Sequence, residues 1–98
     1  MADRKYRKGL ERLRELNVRF EQLETRAQTL PPGGRTVIDT RSEALEEKKR
    51  LLVLLFSRYE NAGDDERPLV RNKIEETLEE LRYGIDEMTE MVERTENG

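Results

Sequence analysis

The sequence contains no cysteine and no histidine. Without cysteine it has no disulfide framework, no thiolate metal site and no cysteine nucleophile. Without histidine it lacks the commonest general base and the commonest metal ligand. We therefore expect a protein that is not an enzyme, with no catalytic residue, no bound metal and no cofactor. The absence of cysteine is also compatible with a reducing compartment, so we expect a cytoplasmic location.

Apolar residues are scarce. Hydrophobic residues make up 34% of the 98 positions, aromatic residues 5% and charged residues 42%, against roughly 25% charged in ordinary globular domains. We interpret residues 1–98 as one small domain that struggles to bury a sufficient core alone. The longest apolar run, Leu51–Phe56, is far shorter than the roughly 20 residues that span a membrane. The charged N-terminal segment also leads into no apolar core, so we expect no signal peptide.

Two segments repeat apolar residues alternately three and four positions apart. This spacing places them on one face of a helix and is typical of helices that pack against other helices. It predicts a first helix over about residues 3–30 and a third over about 65–94. In the first the repeat is Tyr6, Leu13, Leu16, Phe20, Leu23, Ala27 and Leu30; in the third it is Ile74, Leu78, Leu81, Ile85, Met88 and Val92.

Two prolines and two glycines at residues 31–34 end the first helix, because proline lacks an amide donor and glycine weakens regular structure. The sequence predicts a connection over 31–39. Thr40 and Glu43 have the spacing of a capping box, so the second helix is predicted to run over about 40–61. It is then the shortest of the three.

These elements predict an all-α fold, an antiparallel up-down-up three-helix bundle with coiled-coil-like heptad packing. Residues 1–30 carry 8 Lys/Arg and 5 Asp/Glu, whereas residues 63–98 carry 5 and 12. Opposite net charges favour side-by-side packing of the first and third helices, which are parallel in this fold. Because the long helices would overhang the short one, we expect some of their apolar residues to need a further partner.

The run Leu51–Phe56 points to every side of a helix, because successive residues are about 100° apart. A surface helix needs only one apolar stripe. The excess apolar surface predicts that the run is enclosed by its own chain, by a second copy or by a partner protein. The candidate partner-binding residues are Leu51, Val53, Leu54 and Phe56.

A basic segment at the start of the chain is the candidate for binding nucleic acid. Arg4, Lys5, Arg7 and Lys8 surround Tyr6, and cations bind phosphates while tyrosine stacks on bases. The chain as a whole carries a net charge of −3, and Tyr6 falls on the helix seam, so this is the weaker interpretation.

The second helix, a turn with glycine and a helix that opens with Arg67–Arg71 resemble the layout of BAG-type co-chaperone domains. That resemblance implies a three-helix bundle that binds the nucleotide domain of a heat-shock chaperone. The third helix here is acidic, whereas the binding helix of that family is basic, so we do not assign the chain to the family. The leading hypothesis is a self-associating protein–protein interaction module, with no small-molecule substrate. A chaperone or adaptor for a partner helix, BAG-like or similar to a secretion chaperone, is the alternative.

Overall fold

Three helices make up nearly all of residues 4–98, the part of the chain that the computed structural model describes. They are α1 (Arg4–Gln28), α2 (Pro32–Asn61) and α3 (Arg67–Asn97). The chain runs up, down and up, and no strand occurs within these residues. The bundle is elongated, with principal extents of 51 × 19 × 15 Å. The predicted antiparallel three-helix fold is confirmed.

The core is organised along α3. Its heptad repeat is buried over its whole length, and α1 and α2 both pack against it, whereas the contact between α1 and α2 is the least extensive of the three. The complete burial of this repeat follows from its spacing, which puts every member on one face. The most deeply buried side chains of α3 are Leu78, Leu81, Ile85, Met88 and Val92.

Three ion pairs along the α1–α3 contact show that these helices are parallel. The arginines on α1 are seven residues apart, so they lie in one row, and their acidic partners advance along α3 in the same direction. The pairs are Arg12–Glu79 (2.6 Å), Arg19–Asp86 (2.7 Å) and Arg26–Glu96 (2.5 Å). The hydrogen bond from Arg26 holds the pKa of Glu96 below its usual value. Because these pairs are exposed, they select the orientation more than they stabilise the fold.

The second helix begins at Pro32, eight residues earlier than the sequence predicts, so the predicted connection over 31–39 is wrong. Pro31 is extended, and Pro32 sits at the first helical turn, where proline is well tolerated. Burial of Ile38 in the core favours a helix here and outweighs the helix-weakening effect of Gly33 and Gly34.

The predicted capping box is also wrong. The Thr40 hydroxyl donates to the Thr36 carbonyl within the helix (3.0 Å), and the Ser42 hydroxyl donates to the Glu24 carboxylate on α1 (2.9 Å).

The predicted overhang of the long helices is therefore absent. The helices contain 25, 30 and 31 residues, so α2 extends along the whole of α3. The predicted end of the second helix at Asn61 is confirmed, whereas three other boundaries differ by two or three residues: α1 ends at Gln28, and α3 runs from Arg67 to Asn97. Only the excess apolar surface of α2 remains as a reason to expect self-association.

Two glycines allow α2 to approach α3 closely. A methyl group on Gly84 of α3 would lie 2.3 Å from Cδ2 of Leu45, and one on Gly34 of α2 would lie 2.6 Å from Cγ2 of Thr95. Both distances are shorter than carbon atoms tolerate, so these positions exclude a larger residue unless the neighbour moves. Gly33, next to Gly34, has open space around it.

We expect Gly33→Ala to stabilise the protein and Gly34→Ala to destabilise it. Alanine improves a helix by about 0.5–1 kcal/mol over glycine, whereas the overlap with Thr95 costs about 1 kcal/mol or more. Unfolding in urea measures both changes. Thr95→Ser removes the obstructing methyl group and keeps the hydroxyl, so Gly34→Ala should become stabilising in that background. Equal effects of the two alanines in the wild-type background would contradict the close contact.

Candidate interaction surfaces

One line of exposed residues runs along the outer side of α2. They are three and four positions apart, so they lie on one face, and every one is exposed to solvent. We call this line the outer stripe; it consists of Thr40, Ala44, Glu47, Leu51, Leu54, Arg58 and Asn61.

The centre of the outer stripe is apolar. Leu51 is 38% exposed and Leu54 is 67% exposed. With Ala44 they line a shallow hollow of about 510 Å³, which Glu47, Lys48 and Arg50 also line. The carboxylate of Glu47 forms an ion pair with Arg50 one turn further along the helix. An apolar centre with charged edges is the usual arrangement of a protein–protein contact.

The four apolar candidates from the sequence do not form one surface. Leu51 and Leu54 share the outer stripe, but Val53 faces the groove between α1 and α2, where it lies beside Leu10 and Leu13. Val53 is 61% exposed. Phe56 is 5% exposed and belongs to the core, and its ring lies at a cleft at the end of the bundle and not on the outer stripe. The sequence of the run does not show what each side chain faces, because that depends on where α1 and α3 pack against α2.

The basic candidates are divided between two sides of α1. Lys5 and Lys8 line a cleft of about 420 Å³ at the end of the bundle, to which Arg71 of α3 also contributes. Arg4 and Arg7 are exposed but do not line it. We call this feature the end cleft, and it is formed by Lys5, Lys8 and Arg71 around an aromatic floor. No local sequence pattern predicts this cleft, because its members come from all three helices.

The floor of the end cleft consists of three aromatic rings. Tyr6 stacks on Tyr59, with ring centroids 4.9 Å apart, and meets Phe56 edge-on at 5.5 Å. Gly9 makes room for this packing, since a methyl group there would lie 3.3 Å from Cε1 of Phe56. The Arg67 guanidinium lies 5.5 Å from the Tyr59 centroid, within the range of a cation–π contact. The charged lining consists of Lys5, Lys8, Arg12 and Arg71 against Glu75 and Glu79. A net positive lining around an apolar floor suits an apolar group that carries negative charge.

Tyr6 is held by its surroundings in the neutral form. Its hydroxyl donates a hydrogen bond to the Glu60 carboxylate on α2. Burial, followed by this hydrogen bond and the negative charge of Glu60, raises the pKa of Tyr6 to about 12. One face of the Tyr6 ring is therefore occupied by Tyr59, and its hydroxyl is engaged by Glu60.

Within residues 4–98, no group of Asp and Glu carboxylates has the arrangement of a metal site. None of the helices in this range is sufficiently long and apolar to cross a lipid bilayer.

Comparisons with protein families, with curated proteins and with solved structures found no match to this chain. The two surfaces described above are therefore the basis for proposing a function.

We expect the Tyr6 hydroxyl to titrate near pH 12, about two units above the ordinary value for tyrosine. Ultraviolet absorbance of the phenolate measures this, and Tyr6→Phe should remove the component with that midpoint. Since folding raises this pKa, the contribution of Tyr6 to stability is complete below about pH 10 and is lost as the pH rises through 12. A Tyr6 component with a midpoint near 10 would contradict the observed environment.

Proposed function

We propose that this protein is a non-enzymatic helical-bundle module for protein–protein association, and that it self-associates through the outer stripe of α2. The observation that carries the proposal is the exposure of Leu51 and Leu54 in the middle of a long, well-packed helix. The seams of α1 and α3 are already used within the bundle, so these two leucines are surplus to its core. The absence of cysteine supports a reducing cytoplasm as the proposed location.

The expected self-association is weak and reversible. Burying the exposed parts of four leucines in a dimer contributes about 5 kcal/mol at the usual value for apolar side chains. Association costs about 4 kcal/mol or more in lost translational and rotational freedom. The leucines alone therefore give a small net free energy of association, and polar contacts at the edges of the stripe must add to it. A dissociation constant of 1 mM requires about 4 kcal/mol, so we expect the polar edges to contribute and the dissociation constant to be millimolar or weaker.

Leu54→Glu should convert the dimer to a monomer without loss of helicity, because it places two charges in the apolar centre of the contact. Val53→Glu is the matched control: it lies next to Leu54 and is similarly exposed, but it faces the groove beside α1. Sedimentation equilibrium over a concentration series measures the mass, and circular dichroism measures the helicity. A wild-type chain that stays monomeric at the highest concentrations would refute self-association.

The end cleft supports a second candidate function, that of a chaperone or adaptor that binds a segment of another protein. Its aromatic floor would take an apolar side chain. Its cations (Lys5, Lys8, Arg12 and Arg71) outnumber its carboxylates (Glu75 and Glu79), so acidic residues flanking that side chain would be favoured. Gly9→Val should fill this space and abolish binding of an acidic, phenylalanine-containing peptide, as measured by fluorescence anisotropy. Gly33→Val is the control, since that glycine lies in open space at the other end of the bundle. If no such peptide binds the wild-type protein, the adaptor hypothesis for this cleft fails.

Binding of nucleic acid through Arg4, Lys5, Arg7 and Lys8 remains a weaker alternative. These side chains are exposed, as phosphate contacts require. Tyr6, the residue expected to stack on bases, is engaged with Tyr59 and Glu60.

A further inference from the structure

The charges of the outer stripe are arranged symmetrically about its apolar centre. Glu47, Leu51, Leu54 and Arg58 follow one another at intervals of four, three and four residues. An acidic residue therefore lies one turn before the leucine pair, and a basic residue lies one turn after it. Reversing the direction of the helix exchanges the positions of the two charges and leaves the leucines in place.

We infer that two copies of this chain pair through the outer stripes of their α2 helices in antiparallel orientation, with Glu47 of each copy against Arg58 of the other. A twofold axis then passes midway between Leu51 and Leu54, so that each Leu51 packs against the Leu54 of the second copy. This inference rests on the proposed function, because it specifies the orientation and register of the same self-association.

The charges favour this orientation over the parallel one. In the antiparallel arrangement, both symmetric contacts outside the leucines join a carboxylate to a guanidinium. In a parallel arrangement of the same stripes, Glu47 would face Glu47 and Arg58 would face Arg58. Like charges at facing positions of paired helices disfavour that arrangement, and complementary charges select the partner orientation.

The outer parts of the stripe are compatible with the same register. Beyond the charged pairs, Ala44 of each copy meets Asn61 of the other, and both residues are exposed in the single bundle. Alanine is small and asparagine is short, so neither holds the helices apart. The second copy is the occupant that this surface fits, since its own sequence supplies the complementary charge at each end.

Charge reversal tests the register. Glu47→Arg and Arg58→Glu should each weaken the dimer roughly tenfold or more, because each places like charges at both symmetric contacts. The double variant Glu47→Arg with Arg58→Glu should restore wild-type affinity, because both contacts are again complementary. An equimolar mixture of the two single variants should also associate. Sedimentation equilibrium at low and high salt measures these affinities, and salt should reduce the difference between variants.

Glu15→Arg is the matched control, since it reverses one exposed charge on α1 and leaves the outer stripe unchanged. It should not weaken the dimer. If Leu54→Glu abolishes association but neither charge reversal changes it, the antiparallel register is wrong and the proposed function stands. If the wild-type chain does not associate, both the register and the self-association are wrong.

Discussion

The burial of the α3 seam is the interaction on which the rest of this structure depends. Leu81, Ile85, Met88 and Val92 are completely shielded from solvent, and both other helices pack against the face that carries them. Each such side chain contributes about 1.5–3 kcal/mol by leaving water, which is a large share of the stability of a domain this small. Because α3 supplies this seam to two helices at once, a chain with only 34% hydrophobic residues can still form a bundle.

The small number of apolar residues in this chain makes the exposed leucines of α2 informative. Most residues with large apolar side chains are already used in the seams, and the outer faces of the helices are mainly charged. Single exposed apolar residues are ordinary on protein surfaces. Leu51 and Leu54 differ because they share one stripe and have complementary charges on either side. This combination of an apolar pair and flanking charges is the basis of the proposed self-association.

The sequence alone was sufficient for the fold class and for two of the three helices. The heptad repeats of α1 and α3 are regular, and their opposite charges correctly indicated that these helices lie side by side. The start of α2 was missed because the local signals of Pro31–Gly34 opposed a helix, while the burial of Ile38 favours one only after α3 is in place. Propensity is a weak guide wherever tertiary packing opposes it.

The candidate surfaces were less accessible to sequence reasoning. The run Leu51–Phe56 marked the correct helix, but its members point in several directions, and only packing shows that Phe56 is buried while Leu54 is exposed. The end cleft combines Gly9, Phe56 and Arg71 from three helices, so no local sequence pattern predicts it. The outer stripe was within reach, since the spacing of Glu47, Leu51, Leu54 and Arg58 can be read directly from the sequence.

The distance between spin labels in the self-associated protein tests this account most directly. The chain has no cysteine, so Thr40→Cys provides a single labelling site at an exposed position of the outer stripe. At a rise of 1.5 Å per residue and a helix separation of about 10 Å, antiparallel pairing places the two Cα atoms at position 40 about 40 Å apart. The account predicts a label-to-label distance of that order by double electron–electron resonance. A distance of roughly 10–15 Å, as expected for parallel helices, or the absence of any dipolar interaction at high concentration, would contradict it.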